Sequence, residues 1–444
     1  MTSAQPKQSM SLHQALTAFK GGNIEVARDV LAAFIAQKFD LDITGLSIRQ
    51  DTLSLNSING TFMTQDGEKL FFKFHMEESE ETVAEYYRAE LLDRAGYPVE
   101  TPLYLSKEPG EQILIYPYKN SERLADMCRR LEQPEEQGSA EYNELIKAQA
   151  VLDKISAEKT LETLHTATSA NLKDEPLLQL FYWRLVDVSE DGSIRPGGRH
   201  HRFYVGQDFS FPDNVTIPYE ELSRLTWNIN GVEYPVTLDQ CFDQARKLLA
   251  PDYYASYAAC TAHGDAHNGN VWANKDDNGR MDLSWFDPAF AGENIPVLLT
   301  EVKTVFHNIF AHSNWLYDAE KADKSLSVSC NVKDGVIHVR HNWDLPSLRR
   351  DFLYSKLENY WKPVLKVLKA QNKLPDDWEA YVRSALFCCP TLVMNLRAGA
   401  GSVQNKHTPR TSLLGLSIAI MLSSAPAEGE DALSQFFKEL RDSL

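Results

Sequence analysis

Between His263 and Asp287 the chain reads HGDAHNGNVWANKDDNGRMDLSWFD, which gathers carboxylates, an amide and imidazoles around one short hairpin. Val271-Trp272-Ala273 predicts a strand, the run from Asn274 to Gly279 a polar turn, and the alternation from Met281 to Phe286 a returning strand. Antiparallel pairing sets the start of the first strand beside the end of the second. Asn270 and Asp287 should therefore share the open end of the hairpin, with Asp265 on the loop that leads in. An amide oxygen and a carboxylate converging there suit magnesium, a hard cation that takes oxygen ligands and keeps room for phosphates. The remaining carboxylate, Asp265, is left to act as a base.

This arrangement, His-Gly-Asp, then Asn five residues after the Asp, then a strand ending in Phe-Asp, resembles the catalytic core of the aminoglycoside phosphotransferase and choline kinase group, distant relatives of protein kinases. The resemblance implies that Asp265 accepts the proton of an acceptor hydroxyl, while Asn270 and Asp287 hold Mg2+ on the phosphates of ATP or GTP. His263-Gly-Asp stands where protein kinases carry His-Arg-Asp, and Asp287-Pro-Ala where they carry Asp-Phe-Gly. Both departures point to the branch that acts on small molecules, and no segment resembling Ala-Pro-Glu follows Asp287.

Two readings from other classes stay open. His263, Asp265 and His267 occupy alternate positions, as ligands of zinc or manganese in a metallohydrolase would. A catalytically silent kinase-like binding module is the other. Such a module usually lacks one member of the set Lys73, Glu85, Asp265, Asn270 and Asp287, all of which are present in this chain.

The elements that must position these residues follow in order. Residues 1–9 read as a loose tail, and residues 1–40 as a helical extension with amphipathic helices on either side of Gly21-Gly22. Residues 41–118 form the expected β-rich, nucleotide-binding lobe. Asn56 to Thr61 reads as a polar turn, and under the resemblance the backbone of Ser57, Asn59 and Gly60 would lie on the nucleotide phosphates. Asp66-Gly67 between alternating runs is a hairpin signal. Leu70, Phe72 and Phe74 mark one face of the next strand, which sets Phe71, Lys73 and His75 on the other. A buried lysine needs a carboxylate or a phosphate, and under the resemblance the helix predicted from Ser79 supplies Glu85 as the partner, with Glu90 as the fallback. The strand from Glu111 to Tyr118 ends at Pro117, where the resemblance brings Tyr116 and Tyr118 to the purine.

Residues 119–444 are expected to form a mostly helical catalytic lobe, interrupted at about 171–256. The interruption holds Arg195-Pro-Gly-Gly-Arg199-His200-His201-Arg202, the most basic tract of an acidic chain. We read Arg199, His200 and Arg202, with His267, as candidate contacts to the acceptor. An apolar helix is predicted from Pro296 to Phe310 and a hairpin around Asp334-Gly335.

Composition bounds the rest. The formal net charge of −17 argues against a general nucleic-acid binder, which needs a clustered basic face. The longest apolar run, Leu413 to Leu422, is too short to span a bilayer, so no membrane partner is expected. The six cysteines show no Cys-x-x-Cys spacing, which predicts buried free thiols and a cytoplasmic protein. The expectation is an α+β, two-lobed, kinase-like phosphotransferase acting on a small-molecule hydroxyl.

Overall fold

The computed structural model describes residues 12–49, 57–75, 88–106, 108, 110–311, 315–400 and 406–444, which divide between two compact units. The tail at 1–9, the helix start at Ser79 and Glu85 lie outside the described residues. One unit is residues 1–93 and 99–121; the other is residues 94–98 and 122–444.

The first unit is a five-stranded antiparallel sheet with two helices. The sheet runs in the order Ile43–Ile48, Ser57–Thr64, Lys69–His75, Ile113–Pro117, Tyr104–Ser106. Leu70, Phe72 and Phe74 are buried and Lys73 lies on the opposite face, as the alternation predicts. The helices Leu12–Lys20 and Ile24–Phe39 cover the apolar face, so Leu31, Phe34 and Ile35 share one core with Ile58, Phe72 and Ile115. The extension is thus part of the lobe that follows it. Asn23 caps the second helix by accepting from the Val26 N–H at 3.3 Å. The expected polar turn at Asn56 to Thr61 is corrected: Ser57–Thr64 is a continuous strand, and Gly60 lies inside it. A Cβ at Gly60 would come within 2.1 Å of the Ser47 carbonyl and 2.5 Å of the Phe72 ring, so close strand packing requires the glycine.

The second unit is largely helical, with small sheets inserted. Its long helix Ala140–Glu162 buries the polar residues Asp153, Ser156 and Thr160 along with Leu145 and Leu152. The segment 171–256 folds within this unit, and its strand Thr226–Ile229 pairs in parallel with Val336–His341 from far along the chain. That strand belongs to the hairpin Val328–Lys333/Val336–His341, turned by Asp334 and Gly335 at positive φ of 52° and 78°. The single apolar helix expected from Pro296 to Phe310 is instead three turns of different pitch. A 3-10 turn Val297–Leu299 leads to the α-helical Val302–Val305, which widens into the π-helical Phe306–Ala311. Thr300 and Thr304 hydroxyls donate to the Val297 and Glu301 carbonyls, a local competition that breaks regular helix pitch. All six cysteines are free thiols, and only Cys330 is not buried. Among the described residues no helix is long and apolar enough to cross a membrane.

Candidate functional site

The hairpin forms in the expected register, with Val271–Lys275 paired to Met281–Trp285 and Val271 opposite Trp285. Beyond that pair the Phe286 N–H donates to the Asn270 carbonyl at 3.0 Å, which keeps the two chain ends together. Asp287 follows immediately, in a left-handed backbone conformation with φ 53°. A non-glycine residue there is strained, and such strain persists where the surroundings over-determine it.

His263 ties the loop to the hairpin's far end. Its Nδ1 accepts the Asp265 N–H at 3.3 Å and its Nε2 donates to the Phe286 carbonyl at 3.1 Å. The ring is buried, which pushes its pKa below the ordinary value and keeps it neutral. Between His263 and Asp265, Gly264 has φ 76°, and a Cβ there would lie 2.3 Å from the Phe290 carbonyl oxygen. Asn270 completes the loop by donating its side-chain N–H to the Asp265 carbonyl at 2.9 Å. That bond assigns the amide nitrogen to the loop and directs the amide oxygen elsewhere.

Asp265 carries the charge of the site. Lys303 Nζ lies 3.3 Å from Oδ1 and His267 Nε2 3.8 Å from Oδ2. Burial alone would raise the carboxyl's pKa; Lys303, then His267 and His263, outweigh it and hold the group below its usual range. His267 Nδ1 accepts the Gly269 N–H at 3.1 Å, so in the neutral ring the proton sits on Nε2, the nitrogen that faces Asp265. Burial lowers the His267 pKa as well.

Sequence reasoning missed Lys303 and the layer behind the loop. Lys303 is buried in the apolar run 296–310, and a lysine inside such a run was the available signal. The π-helical turn that follows carries Asn308, whose Oδ1 accepts the Asn268 N–H at 2.7 Å. It also carries His307, 5.2 Å from the His267 ring and 3.0 Å from the Tyr317 hydroxyl. π-helical turns often mark functional sites because they re-aim side chains. Here the turn aims two at the loop from His263 to Asn270.

The other candidates are placed as follows. In the first unit Lys73 pairs across the strands with Asn59 and Leu114, which puts Lys73 and Asn59 side by side on one sheet face. The Ser57 backbone lies opposite His75 on the same pair of strands. Tyr116 stands opposite Phe71, and the Tyr118 N–H donates to the Lys69 carbonyl at 3.1 Å. The Tyr118 ring has the Lys69 ammonium 3.8 Å from its centroid. Glu90 is exposed on the helix that covers residues 88–94.

In the second unit the basic tract separates. Arg199 Nη1 donates to the Leu392 and Val393 carbonyls at 2.8 and 3.0 Å, and Arg202 is exposed. His200 is buried, stacked on Phe242 at 3.8 Å, and bonded through Nε2 to the Tyr219 hydroxyl at 2.7 Å. Burial first, then Arg246, pushes its pKa down to about 3. It is therefore a neutral core residue, which corrects its reading as an acceptor contact.

The zinc or manganese reading of His263, Asp265 and His267 is not supported either. Both nitrogens of His263 serve the loop, and among the described residues no group of three or more His, Cys, Asp or Glu side chains is arranged to hold a metal ion.

No protein-family model matches the chain, and no curated protein matches it. Solved structures do. An amicoumacin kinase in complex with AMP-PNP and Ca2+ is similar with a TM-score of 0.44 and 11% identity, over 91% of this chain and 96% of that one. A Plasmodium vivax ethanolamine kinase is similar with a TM-score of 0.41 and 9% identity, over 100% of this chain and 94% of that one. An aminoglycoside 2'-phosphotransferase in its GDP complex is similar with a TM-score of 0.39 and 10% identity, over 94% and 97%.

Proposed function

We propose that the protein is a phosphotransferase that moves the γ-phosphoryl group of a magnesium-bound nucleotide, ATP in the first instance, to a hydroxyl of a small molecule. The observation that carries this reading is the convergence of Asp265, Asn270 and Asp287 at the open end of one hairpin, with Asp265 held as a carboxylate by Lys303. The donor set fits Mg2+. Asn270 has its amide nitrogen occupied by the loop, leaving its oxygen as the ligand, and Asp287 adds a carboxylate. Magnesium bound through one or two such groups keeps its other positions for water and phosphate oxygens, where it would neutralise charge on the nucleotide.

The chain's own residues do the rest. Asp265 accepts the acceptor's hydroxyl proton as the new bond to the γ-phosphorus forms and the bond to the β,γ-bridging oxygen breaks, releasing the nucleoside diphosphate. Its low pKa keeps it ionised and ready, and His267 and Lys303 fix its direction. His263, neutral and buried, positions the loop and touches no reacting atom. Lys73 on its sheet, with Asn59 beside it and Glu85 or Glu90 as partner, is the candidate for the phosphates. Tyr116 and Tyr118 are the candidates for the purine.

The test is direct. Incubating the purified protein with magnesium-ATP and a metabolite library should give one or more compounds heavier by one phosphate, and none with Asp265→Asn. A library left unmodified while ATP is bound would favour the silent binding module.

A further inference from the structure

Arg184 ends the 3-10 turn Tyr182–Arg184, and Arg199 lies in the first turn of the helix Gly198–Phe203. Their guanidiniums meet at the end of the helix Trp378–Val393. Arg184 Nη1 donates to the Leu392 carbonyl at 3.2 Å, and Arg199 Nη1 to the same carbonyl at 2.8 Å. One cation is enough to cap a helix end; a second on the same oxygen holds two like charges side by side. A glycine makes the approach possible. Gly198 has φ 63°, and a Cβ there would sit 2.4 Å from the Arg184 carbonyl oxygen. The Gly197 N–H donates to the Leu185 carbonyl at 3.0 Å, which locks the two segments together.

Among the described residues neither guanidinium meets a carboxylate, and each spends only Nη1 on the helix end. The remaining donors of both forks make no side-chain hydrogen bond among the described residues, and the Arg199 guanidinium lies 5.9 Å from the Phe203 ring centroid. The helix Trp378–Val393 also packs against Val302–Val305, which carries Lys303, so the arginine pair and the Lys303–Asp265 pair border the same helix. The electrostatics agree. Burial, then Arg199, lowers the Arg184 pKa to about 10, partly offset by the charge of Asp265. Tyr317 senses Asp265 and Arg184 together, as does Cys389, one turn before Leu392.

We propose that Arg184 and Arg199 form an oxyanion-binding site for the acceptor, so that the molecule phosphorylated is a small hydroxylated compound carrying a phosphate ester or a carboxylate. Guanidinium forks match both groups through two-point contacts. The proposal rests on the phosphotransferase reading and narrows its substrate class. It divides the basic tract: Arg199 binds the acceptor from the helix end, His200 lies in the core, and Arg202 is exposed and makes no bond to that helix end.

The experiment is calorimetric titration of the full-length protein with glycerol 3-phosphate, glycerate and glycerol, with AMP-PNP titrated in parallel. At least one anionic probe should bind and glycerol should not; whichever anion binds identifies the oxyanion. Arg184→Gln with Arg199→Gln, which keeps an N–H for the helix end, should weaken that binding tenfold or more while AMP-PNP affinity and melting temperature hold. Arg202→Gln, which removes a charge but no bond to the helix end, should weaken that binding far less. If neither anion binds, or if binding survives in the double variant, the proposal is overturned and the arginines are helix caps only. Failure of the phosphotransferase reading shows separately, as absence of AMP-PNP binding. Should the double variant not fold, phenylglyoxal modification of the wild-type protein decides, read by peptide mass. Glycerol 3-phosphate should slow modification of Arg184 and Arg199 but not of Arg202, and equal rates at all three would overturn the proposal.

Discussion

Lys303 Nζ lies 3.3 Å from Asp265 Oδ1, with the two side chains only 6% and 15% exposed. An ion pair this well buried is sensitive to loss of one partner, because the other charge is then left desolvated. Lys303→Met should therefore destabilise the fold by about 3 kcal/mol, measured by urea unfolding.

The same substitution has a signed effect on pH. In the wild type the Asp265 pKa is held below its ordinary value, so its contribution to stability is present above the unfolded pKa and is lost as pH falls through the folded one. Without Lys303, burial, already the largest single influence, is less fully opposed and the folded pKa rises. The acid limb of the pH–rate profile should then move to higher pH, as a base that protonates earlier requires. An unmoved acid limb in a folded, active variant would show that Lys303 does not set the charge of Asp265.

Asp265→Ala should reduce transfer by roughly 10²–10⁴-fold, the usual contribution of a positioned base. Nucleotide affinity should survive, since Asp265 is assigned to the acceptor and not to the phosphates. Near-normal turnover on an identified acceptor would remove Asp265 from the base's role.

Much of this site could be read from the sequence because it depends on local rules. The hairpin register follows from period-two alternation and a turn rich in Asp, Asn and Gly, and it alone brings Asn270 to Asp287. Lys73 was legible for the same reason: apolar residues at 70, 72 and 74 fix its face. Arg184 was not, because nothing local marks it, and Lys303 was marked only by being a lysine within an apolar run. Their contacts come from elements that return after long stretches of chain, and the run that holds Lys303 changes pitch twice. The Arg199 to Arg202 tract shows the converse error. On this helical turn His200 is buried while His201 and Arg202 are exposed, so four adjacent basic residues do not act as one patch. Gly60 was misread because a glycine that marks a turn and one that lets strands approach look alike in sequence.

Two residues before Lys303, Glu301 belongs to a second buried cluster that supports the same segment. Lys356 Nζ lies 2.6 Å from both Asp153 Oδ1 and Glu301 Oε2, while Ser355 and Ser156 hydroxyls donate to the other carboxylate oxygens at 2.6 Å. Its flanking carboxylates raise the Lys356 pKa against burial, so its stabilisation is complete below the unfolded lysine value and is lost only as pH rises through the folded one. Lys356→Met leaves two buried carboxylates uncompensated. It should lower stability by about 3–5 kcal/mol at neutral pH. Denaturant unfolding checks this, and a loss under about 1 kcal/mol would place the cluster with surface ion pairs.

Asp287→Asn tests the metal role without relying on turnover. Asp287 is assigned to the phosphates through the ion, so the variant should weaken binding of magnesium-AMP-PNP while leaving binding of AMP-PNP in chelator little changed. Replacing the only charged ligand of the two by a neutral amide leaves two amide oxygens to hold a cation that gives up water reluctantly. The hairpin should survive, because the Phe286 N–H to Asn270 carbonyl bond and the His263 bond to the Phe286 carbonyl do not involve the Asp287 side chain. An unchanged melting temperature would establish that. Paired calorimetric titrations, with and without magnesium, give the answer: a loss confined to the magnesium arm supports the assignment, and equal losses in both arms refute it.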